Sequence, residues 1–459
     1  MRRTVVSAVV AVSLWYVPPL AAQTVPGPLT LNDAVQLALR NYPALKERRA
    51  RAQAAEAGED VARTAYLPRV DLVWQENRAT ANNVFGLLLP QAIVPPISGP
   101  VLATRSYEGV WGSAAGVLLS WDAIDFGVRK AGVDVARAQT SLAKAQTAAS
   151  ELDVASAAAD AFLTVLAADE SVRAQRANVE RLEVFATAVR TLTQNQLRPG
   201  ADQSRAEAEV AVAKNQLSQA VQTAELARAA LADAIGAAGS TPQLTPGGLG
   251  ALPSAALGSV DFKTHPAAQA SEAAVEAVRA RERGLDRAYY PHVTLQSAFA
   301  GRGSGADTPG VPSLGNGAWL QVSNWAVGAQ VTFPALDVIS IRARKKVEAQ
   351  NELAEGARYD QTIQTLTTAD ARARALLHAA TDIAKNTPVE RDAATAGESQ
   401  ARARYQNGLA SITEVAEAQR LLMQADADDA LARLGVWRAL LAAAQAHGDL
   451  KPFLDQATR

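Results

Sequence analysis

Three acidic residues follow short glycine-containing turns in long helical patterns, and they are the first candidates for chemistry. Glu414 and Glu417 lie one helical turn apart, so their carboxylates face the same side of a helix. Asp202 follows an equivalent turn earlier in the chain. If several copies of the chain surround an axis, such carboxylates form a ring that favours cations and needs partners or raised pKa values when closed. An ordinary solvated helix face is the alternative that the spacing leaves open.

Catalytic and metal-binding patterns are missing from the sequence. The absence of cysteine excludes thiol catalysis, disulfides and thiolate metal sites. The histidines are scattered, none has a second histidine four residues on, and no serine carries the glycines of a nucleophile elbow. These histidines are His265, His292, His378 and His447. We therefore expect no enzyme activity, no cofactor and no metal site, and interpret the histidines as structural or solvated.

The charge balance and the N-terminus limit the partners and the location. With 45 basic and 46 acidic residues, the formal net charge is -1, which gives no electrostatic footprint for nucleic acid. Residues 1–22 have the pattern of a secretory signal peptide: two arginines, an apolar run and a small-residue cleavage site. Because the run is shorter than the ~20 residues of a membrane-spanning helix, cleavage is favoured over anchoring.

The sequence contains an internal duplication. Residues 42–72 align without gaps to residues 265–295, and Trp121 then aligns with Phe333 after a loss of residues in between. A repeat of this length predicts two copies of one structural unit. We place the first repeat at residues 23–250 and the second at residues 251–459.

Each repeat contains two strands joined by a Pro-rich or Gly-rich loop. Alternating patterns predict strands near residues 67–80, 107–121, 292–301 and 319–333. Four strands cannot close a barrel, and an open sheet in lipid leaves backbone groups unsatisfied, so several chains must combine. Aromatic residues at the strand ends fit an interfacial girdle, with the core of a small soluble sheet as the alternative. These residues are Tyr66, Trp121, Tyr289, Tyr290, Trp319 and Trp325.

Long helical segments follow each pair of strands. Residues 127–196 and 339–406 contain hardly any Gly or Pro, apart from Pro388 as a candidate kink. Each segment is on the order of 100 Å long at 1.5 Å per residue. After short turns, residues 202–235 and 412–446 return as helices, and Ala, Leu and Val recur at threes and fours as antiparallel coiled-coil packing requires.

In this order the elements resemble the TolC-like outer-membrane efflux family over nearly all of the chain after the signal. The residues that carry the resemblance are Leu29-Thr30-Leu31 with Ala34, Ala38, Asn41 and Pro43, the paired Ala-Tyr-Leu-Pro and Tyr-Tyr-Pro strand starts, and Tyr405-Gln406-Asn407-Gly408 followed by Glu414-Val415 and Ala418-Gln419. The resemblance implies a mainly α fold with a β-barrel part. Each chain of a homotrimer would give four strands to a 12-stranded outer-membrane barrel and two long hairpins to a periplasmic tunnel.

The resemblance implies a passive exit duct of a tripartite efflux pump or a type I secretion system. Its partners would be a periplasmic adaptor (membrane fusion) protein, an inner-membrane efflux transporter and outer-membrane lipid. Energy would come from the transporter, because the chain has no nucleotide-binding motif. A periplasmic coiled-coil adaptor or scaffold protein is the alternative, and the duplicated helix–strand–loop–strand–helix order counts against it.

The resemblance also assigns roles to the hairpin tips, near residues 197–202 and 406–412. It implies that Asp202, Glu414 and Glu417 line the closed periplasmic aperture. Candidate residues of a gate latch are Arg205, Arg402, Arg404 and Tyr405. Exposed turn residues would dock onto the adaptor: Leu197, Arg198, Pro199, Gly200, Asn407, Gly408, Leu409, Ala410 and Ser411. A plain turn that needs Gly for backbone reasons is compatible with docking.

Overall fold

The structure is a computed structural model that describes residues 27–80, 107–253, 258, 260–306 and 315–458. The predicted signal peptide, residues 1–22, lies outside the described residues, as do most of the loops that connect the paired strands. The described chain is mainly helical and contains one four-stranded antiparallel sheet. The predicted fold class, with long helical hairpins and an internal duplication, is confirmed.

The order helix, strand, strand, long helix, return helix occurs twice. The first set is α1 (Leu31–Asn41), α2 (Pro43–Thr64), β1 (Arg69–Thr80), β2 (Gly109–Ile124), α3 (Val128–Gln194) and α4 (Gly200–Ala234). The second set is α5 (Pro266–Arg287), β3 (His292–Ser304), β4 (Val322–Thr332), α6 (Asp337–Gln406), α7 (Ile412–His447) and α8 (Lys451–Ala457). The division into repeats at residues 23–250 and 251–459 stays a prediction.

The described residues form two compact units. The helical unit contains the chain up to Lys46, Ser150–Asp261 and Leu366–Arg459, and the sheet unit contains Glu47–Ala149 and Phe262–Thr365. Helix starts in both units follow from local chemistry. Thr30 and Asp33 form a capping box at α1, and the Nδ1 atom of His265 accepts a 3.0 Å hydrogen bond from the backbone N–H of Ala267 at α5.

The sheet unit is built on the strand order β1-β2-β3-β4, with every neighbouring pair antiparallel. Its register aligns one row of side chains across all four strands: Leu72, Val117, Phe299 and Trp325. Gly116 lies on the opposite face, where an added Cβ would come within 2.7 Å of the Cβ of Ala300. Only glycine therefore fits at this point of the β2–β3 pairing.

The helical unit has a large apolar core made by α1, α3, α4, α6, α7 and α8. Trp437 lies at its centre, 1% exposed, and its indole N–H donates a 3.0 Å hydrogen bond to the carbonyl of Ala251. The ring of Trp437 meets Phe453 edge-on, with 5.9 Å between ring centroids. This contact ties the C-terminal helix α8 to α7.

A buried ionic cluster connects α6 to α7 beside Pro388, through which α6 continues. The carboxylate of Asp429 contacts Arg391 at 2.9 Å, Arg433 at 2.5 Å and the Thr387 hydroxyl at 3.4 Å. A proline inside a helix removes one backbone hydrogen bond. Two of these contacts, from Thr387 and Arg391, hold the adjacent turn of α6 against α7, where Asp429 is 4% exposed; the third partner, Arg433, lies on α7 itself.

Candidate functional site at the hairpin tips

The two tips reverse the chain with different backbone devices. In the first tip, between α3 and α4, Gln196 adopts φ 62° and the Leu197 N–H donates to the carbonyl of Leu192 at 2.9 Å. In the second tip, between α6 and α7, Gly408 adopts φ 80° and the Leu409 N–H donates to the carbonyl of Arg404 at 2.8 Å. Both reversals use a left-handed residue to end the incoming helix.

Tyr405 is the contact point between the two tips. It is 1% exposed, and its ring packs against Phe185 with a centroid separation of 5.5 Å. Its hydroxyl donates a 2.9 Å hydrogen bond to Oδ2 of Asp202. The guanidinium of Arg198 lies 4.3 Å from the ring centroid and also donates to the backbone carbonyl of Tyr405. We call Arg198, Asp202 and Tyr405 the tyrosine link.

The electrostatics of the tyrosine link keep Tyr405 protonated. Burial, followed by the hydrogen bond to Asp202, raises the pKa of Tyr405 to about 12. A protonated hydroxyl is the form that can donate to a carboxylate. The link therefore keeps its hydrogen bond throughout the physiological pH range.

Glu414 acts at the start of α7. The Ser411 hydroxyl accepts from the Glu414 N–H at 3.3 Å, and the Ser411 N–H donates to the Glu414 carboxylate at 3.2 Å, which makes a capping box. The same carboxylate lies 3.6 Å from the guanidinium of Arg404. The aperture candidate Glu414 thus contacts the latch candidate Arg404, just as the aperture candidate Asp202 contacts the latch candidate Tyr405.

Glu417 has a partner that sequence reasoning missed. Its carboxylate pairs with Arg420 at 2.6 Å, and this hydrogen bond lowers the pKa of Glu417. The spacing of three residues on one helix was a usable signal for this pair. Arg402 lies 3.9 Å from Glu398 and does not meet the aperture candidates within the described residues.

Two other features of the tips bear on recognition. Arg205 is exposed and forms no ion pair with the residues that the structure describes. Leu197 and Leu409 are 68% and 70% exposed, at matching places in the two turns. Each turn therefore presents a large apolar side chain on the end of a helical hairpin.

The remaining histidines have structural contacts or are solvated. Nε2 of His447 lies 2.8 Å from Asp370 and Nδ1 of His378 lies 3.2 Å from Asp382. Within the described ranges no group of three or more His, Asp or Glu side chains is arranged to hold a metal ion. Among those residues, none of the helices combines the length and the apolar character needed to cross a membrane.

A model of the outer membrane efflux protein family matches residues 34–237 and 262–449, which is most of the chain. The chain belongs to the outer membrane efflux protein family. It is therefore an efflux channel protein of the outer membrane whose helical part lies in the periplasm, as the resemblance implied. The duplicated helices and strands are the two halves that the family model matches.

Solved outer-membrane channels share the fold of this family member at low sequence identity. The Campylobacter jejuni channel CmeC aligns with a TM-score of 0.74 and 16% identity over 94% of this chain and 89% of CmeC. VceC of Vibrio cholerae aligns with a TM-score of 0.70 and 19% identity over 91% of this chain and 96% of VceC. CusC, whose structures concern transmembrane channel formation, aligns with a TM-score of 0.73 and 16% identity over 91% of this chain and 92% of CusC. No curated protein sequence matches the chain.

Proposed function

We propose that the chain is one third of a homotrimeric channel-tunnel, the passive exit duct of a tripartite efflux pump or type I secretion system. The sheet is the observation that carries this proposal. Leu72, Phe299, Trp325 and Val327 are 62–80% exposed on one face. The other face carries mainly small and polar side chains, apart from a small apolar cluster that includes Val73 and Leu118. An apolar outer face and a polar inner face are the alternation of a barrel that surrounds water in a membrane.

The edges of the sheet support assembly. Among the described strands, β1 and β4 are each paired on one side only. In lipid, every unpaired backbone group costs several kcal/mol, so these edges need strands from other copies. Three copies would supply the twelve strands that the family resemblance implies.

At the tips, we propose that Asp202, Glu414 and Glu417 line the periplasmic aperture and that Tyr405 and Arg404 hold it shut. The hydrogen bond from Tyr405 to Asp202 supports this role, because it connects the two hairpins of one chain. Arg205, which has no ion-pair partner among the described residues, is available to an adjacent copy. Arg402, which lies 3.9 Å from Glu398, remains in the proposal as a latch candidate.

We further propose that both turns dock onto a periplasmic adaptor, which connects the duct to an inner-membrane transporter. The exposed Leu197 and Leu409 support this docking, since an apolar side chain on a rigid turn gains by burial in a partner. Each leucine would contribute on the order of 1.5–3 kcal/mol if fully buried.

Conductance and mass test the proposed function together. The purified full-length chain in detergent should have the mass of a trimer and should give discrete, cation-preferring steps in a planar bilayer. A soluble monomer without conductance would instead favour a periplasmic adaptor or scaffold. Replacement of Leu197 and Leu409 by Ser should leave conductance intact and weaken binding to the cognate adaptor.

A further inference from the structure

Five exposed basic residues lie on the helices that precede or follow the strands, close in sequence to the strand ends. Lys130 comes after β2, Arg287 comes before β3, and Arg342, Arg344 and Lys346 follow β4. We call these five residues the basic collar. None of them forms an ion pair with a carboxylate among the residues that the structure describes.

Other cations of the same helices do have acidic partners. Arg279 contacts Glu352 at 2.7 Å, and Lys345 contacts Asp286 at 2.5 Å. Residues 337–347 contain four basic residues and one acidic residue, Asp337, and Lys345 is the one of the four basic residues that has an acidic partner in the described part of the chain. The collar is therefore a local net excess of positive charge.

The collar continues the apolar surface of the sheet. On β4 and the segment after it, Val331 and Phe333 are 53% and 68% exposed, and Ile339 at the start of α6 is 73% exposed. Arg342 and Lys346 follow Ile339 by three and seven residues and so lie on the same helix face. An exposed surface that changes from apolar to cationic over two turns matches the boundary between hydrocarbon and headgroups.

The depth of the collar fits that boundary. Arg342 is five residues into α6, or about 8 Å along the helix. The headgroup layer on each side of a bilayer is roughly 5–8 Å thick, and long basic side chains reach back into it. Arg287 lies 5.9 Å from the ring centroid of Tyr290, which stacks on Phe126 at 6.1 Å. Aromatic rings and cations therefore occur together at this end of the sheet.

We propose that the basic collar binds the phosphates of anionic phospholipids in the periplasmic leaflet of the outer membrane. The inference rests on the proposed channel, because it requires the sheet to span the membrane. Phosphate oxygens accept charge-assisted hydrogen bonds from guanidinium and ammonium groups. A lipid is favoured over free phosphate because the apolar row and the cations form one surface, which suits a ligand with acyl chains and an anionic head.

Lipid selectivity in vesicles tests the collar. The full chain is reconstituted in mixtures of phosphatidylglycerol and phosphatidylcholine, with bromine on the acyl chains of one lipid at a time, and quenching of tryptophan fluorescence is compared. We expect phosphatidylglycerol to be preferred about threefold or more. In the variant K130Q/R342Q/K346Q, the ratio of phosphatidylglycerol to phosphatidylcholine preference should fall towards one. The variant R176Q/R372Q/K451Q, which removes three exposed cations from the helical unit, should keep it.

The outcomes separate the collar from the channel. Equal quenching by both lipids in the unmodified chain, or a preference that survives in K130Q/R342Q/K346Q, would overturn the collar. Loss of the preference on addition of inorganic phosphate at constant ionic strength would overturn the lipid as ligand. Conductance and trimer mass are recorded on the same preparations, so a conducting trimer without lipid preference refutes the collar alone, whereas a monomer without conductance refutes the channel.

Discussion

The two hairpin tips perform the same reversal, but only the second is self-contained. The second tip has glycine at its left-handed position, Gly408, and a capping box between Ser411 and Glu414. The first tip has a glutamine, Gln196, at the left-handed position, and its N-cap, Pro199, provides no side-chain cap. The duplicated copies have therefore diverged in how their turns are stabilised.

The difference shows where the first tip obtains its order. Its polar side chains, Arg198 and Asp202, contact Tyr405 of the second hairpin and do not close their own turn. A turn that depends on a contact with another hairpin becomes looser when that contact is broken. The second tip keeps its own cap, so the tyrosine link should control the first tip more than the second.

The largest expected effect comes from Tyr405→Phe, which leaves the Asp202 carboxylate without its donor. A hydrogen bond to a charged group contributes about 1.5–3 kcal/mol, so the backbone amides of residues 197–203, apart from Pro199, should lose about tenfold or more of their hydrogen-exchange protection. Residues 409–415 should change less. Tyr359→Phe is the matched control, because the Tyr359 hydroxyl makes no hydrogen bond to the described residues. Equal losses at both tips would contradict the asymmetry.

The pH dependence of the tyrosine link follows from the pKa of Tyr405, which is raised from 10.0 to about 12. A raised pKa means that the stabilisation is fully present below the unfolded value and is lost as pH rises through the folded value. Titration of Tyr405 should therefore cause no change in conductance between about pH 6 and pH 9. Ultraviolet difference absorbance should show a tyrosine titrating near pH 12 that is missing in Tyr405→Phe. If the titration step that Tyr405→Phe removes lies near pH 10 instead, the tyrosine link is refuted.

Two substitutions at the left-handed positions should have opposite effects on the local stability of the two tips. Gly408→Ala meets no atom within 4 Å of the added Cβ, so its cost is conformational, about 1–2 kcal/mol for a left-handed residue. Gln196→Gly relieves the same strain and should stabilise the first tip by up to about 1 kcal/mol, less the entropy that glycine loses. Hydrogen exchange at each tip measures both effects. Two losses of protection would show that Gln196 is held by contacts that outweigh its backbone strain.

Substitutions at the helix N-caps should change the stability of the two tips by smaller amounts. Ser411→Ala removes the hydroxyl that accepts from the Glu414 N–H and should cost about 1 kcal/mol at the start of α7. Pro199→Ser offers the first tip the cap it lacks and should add a few tenths of a kcal/mol to α4. Exchange of the first-turn amides in α4 and α7 compares them directly. If Ser411→Ala has no effect, the capping box does not stabilise the second tip.

Local patterns predicted most of the fold, and contacts distant in sequence account for what they missed. The scarcity of Gly and Pro placed the first long helix at residues 127–196, close to the observed Val128–Gln194. Strand β2 runs past the predicted residue 121 because its backbone continues to pair with β3, with Asp122 opposite Thr294 and Ile124 opposite Val293. The bond from Tyr405 to Asp202 joins residues that no periodicity relates. Arg198, predicted as a docking residue, could not be connected to Tyr405 from spacing.

The smallest expected change in stability belongs to Glu417→Gln, and there the informative readout is selectivity. The Glu417 carboxylate is exposed, and Arg420 lowers its pKa, so it is charged at neutral pH. Exposed ion pairs contribute little to stability, so Tm should not change measurably. The reversal potential should move towards lower cation preference, further in E414Q/E417Q. Glu207→Gln on α4, whose pKa is also lowered by its partners Gln203 and Arg190, is the matched control. An equal shift in that control would mean that selectivity reports overall charge, and the aperture would then need other carboxylates.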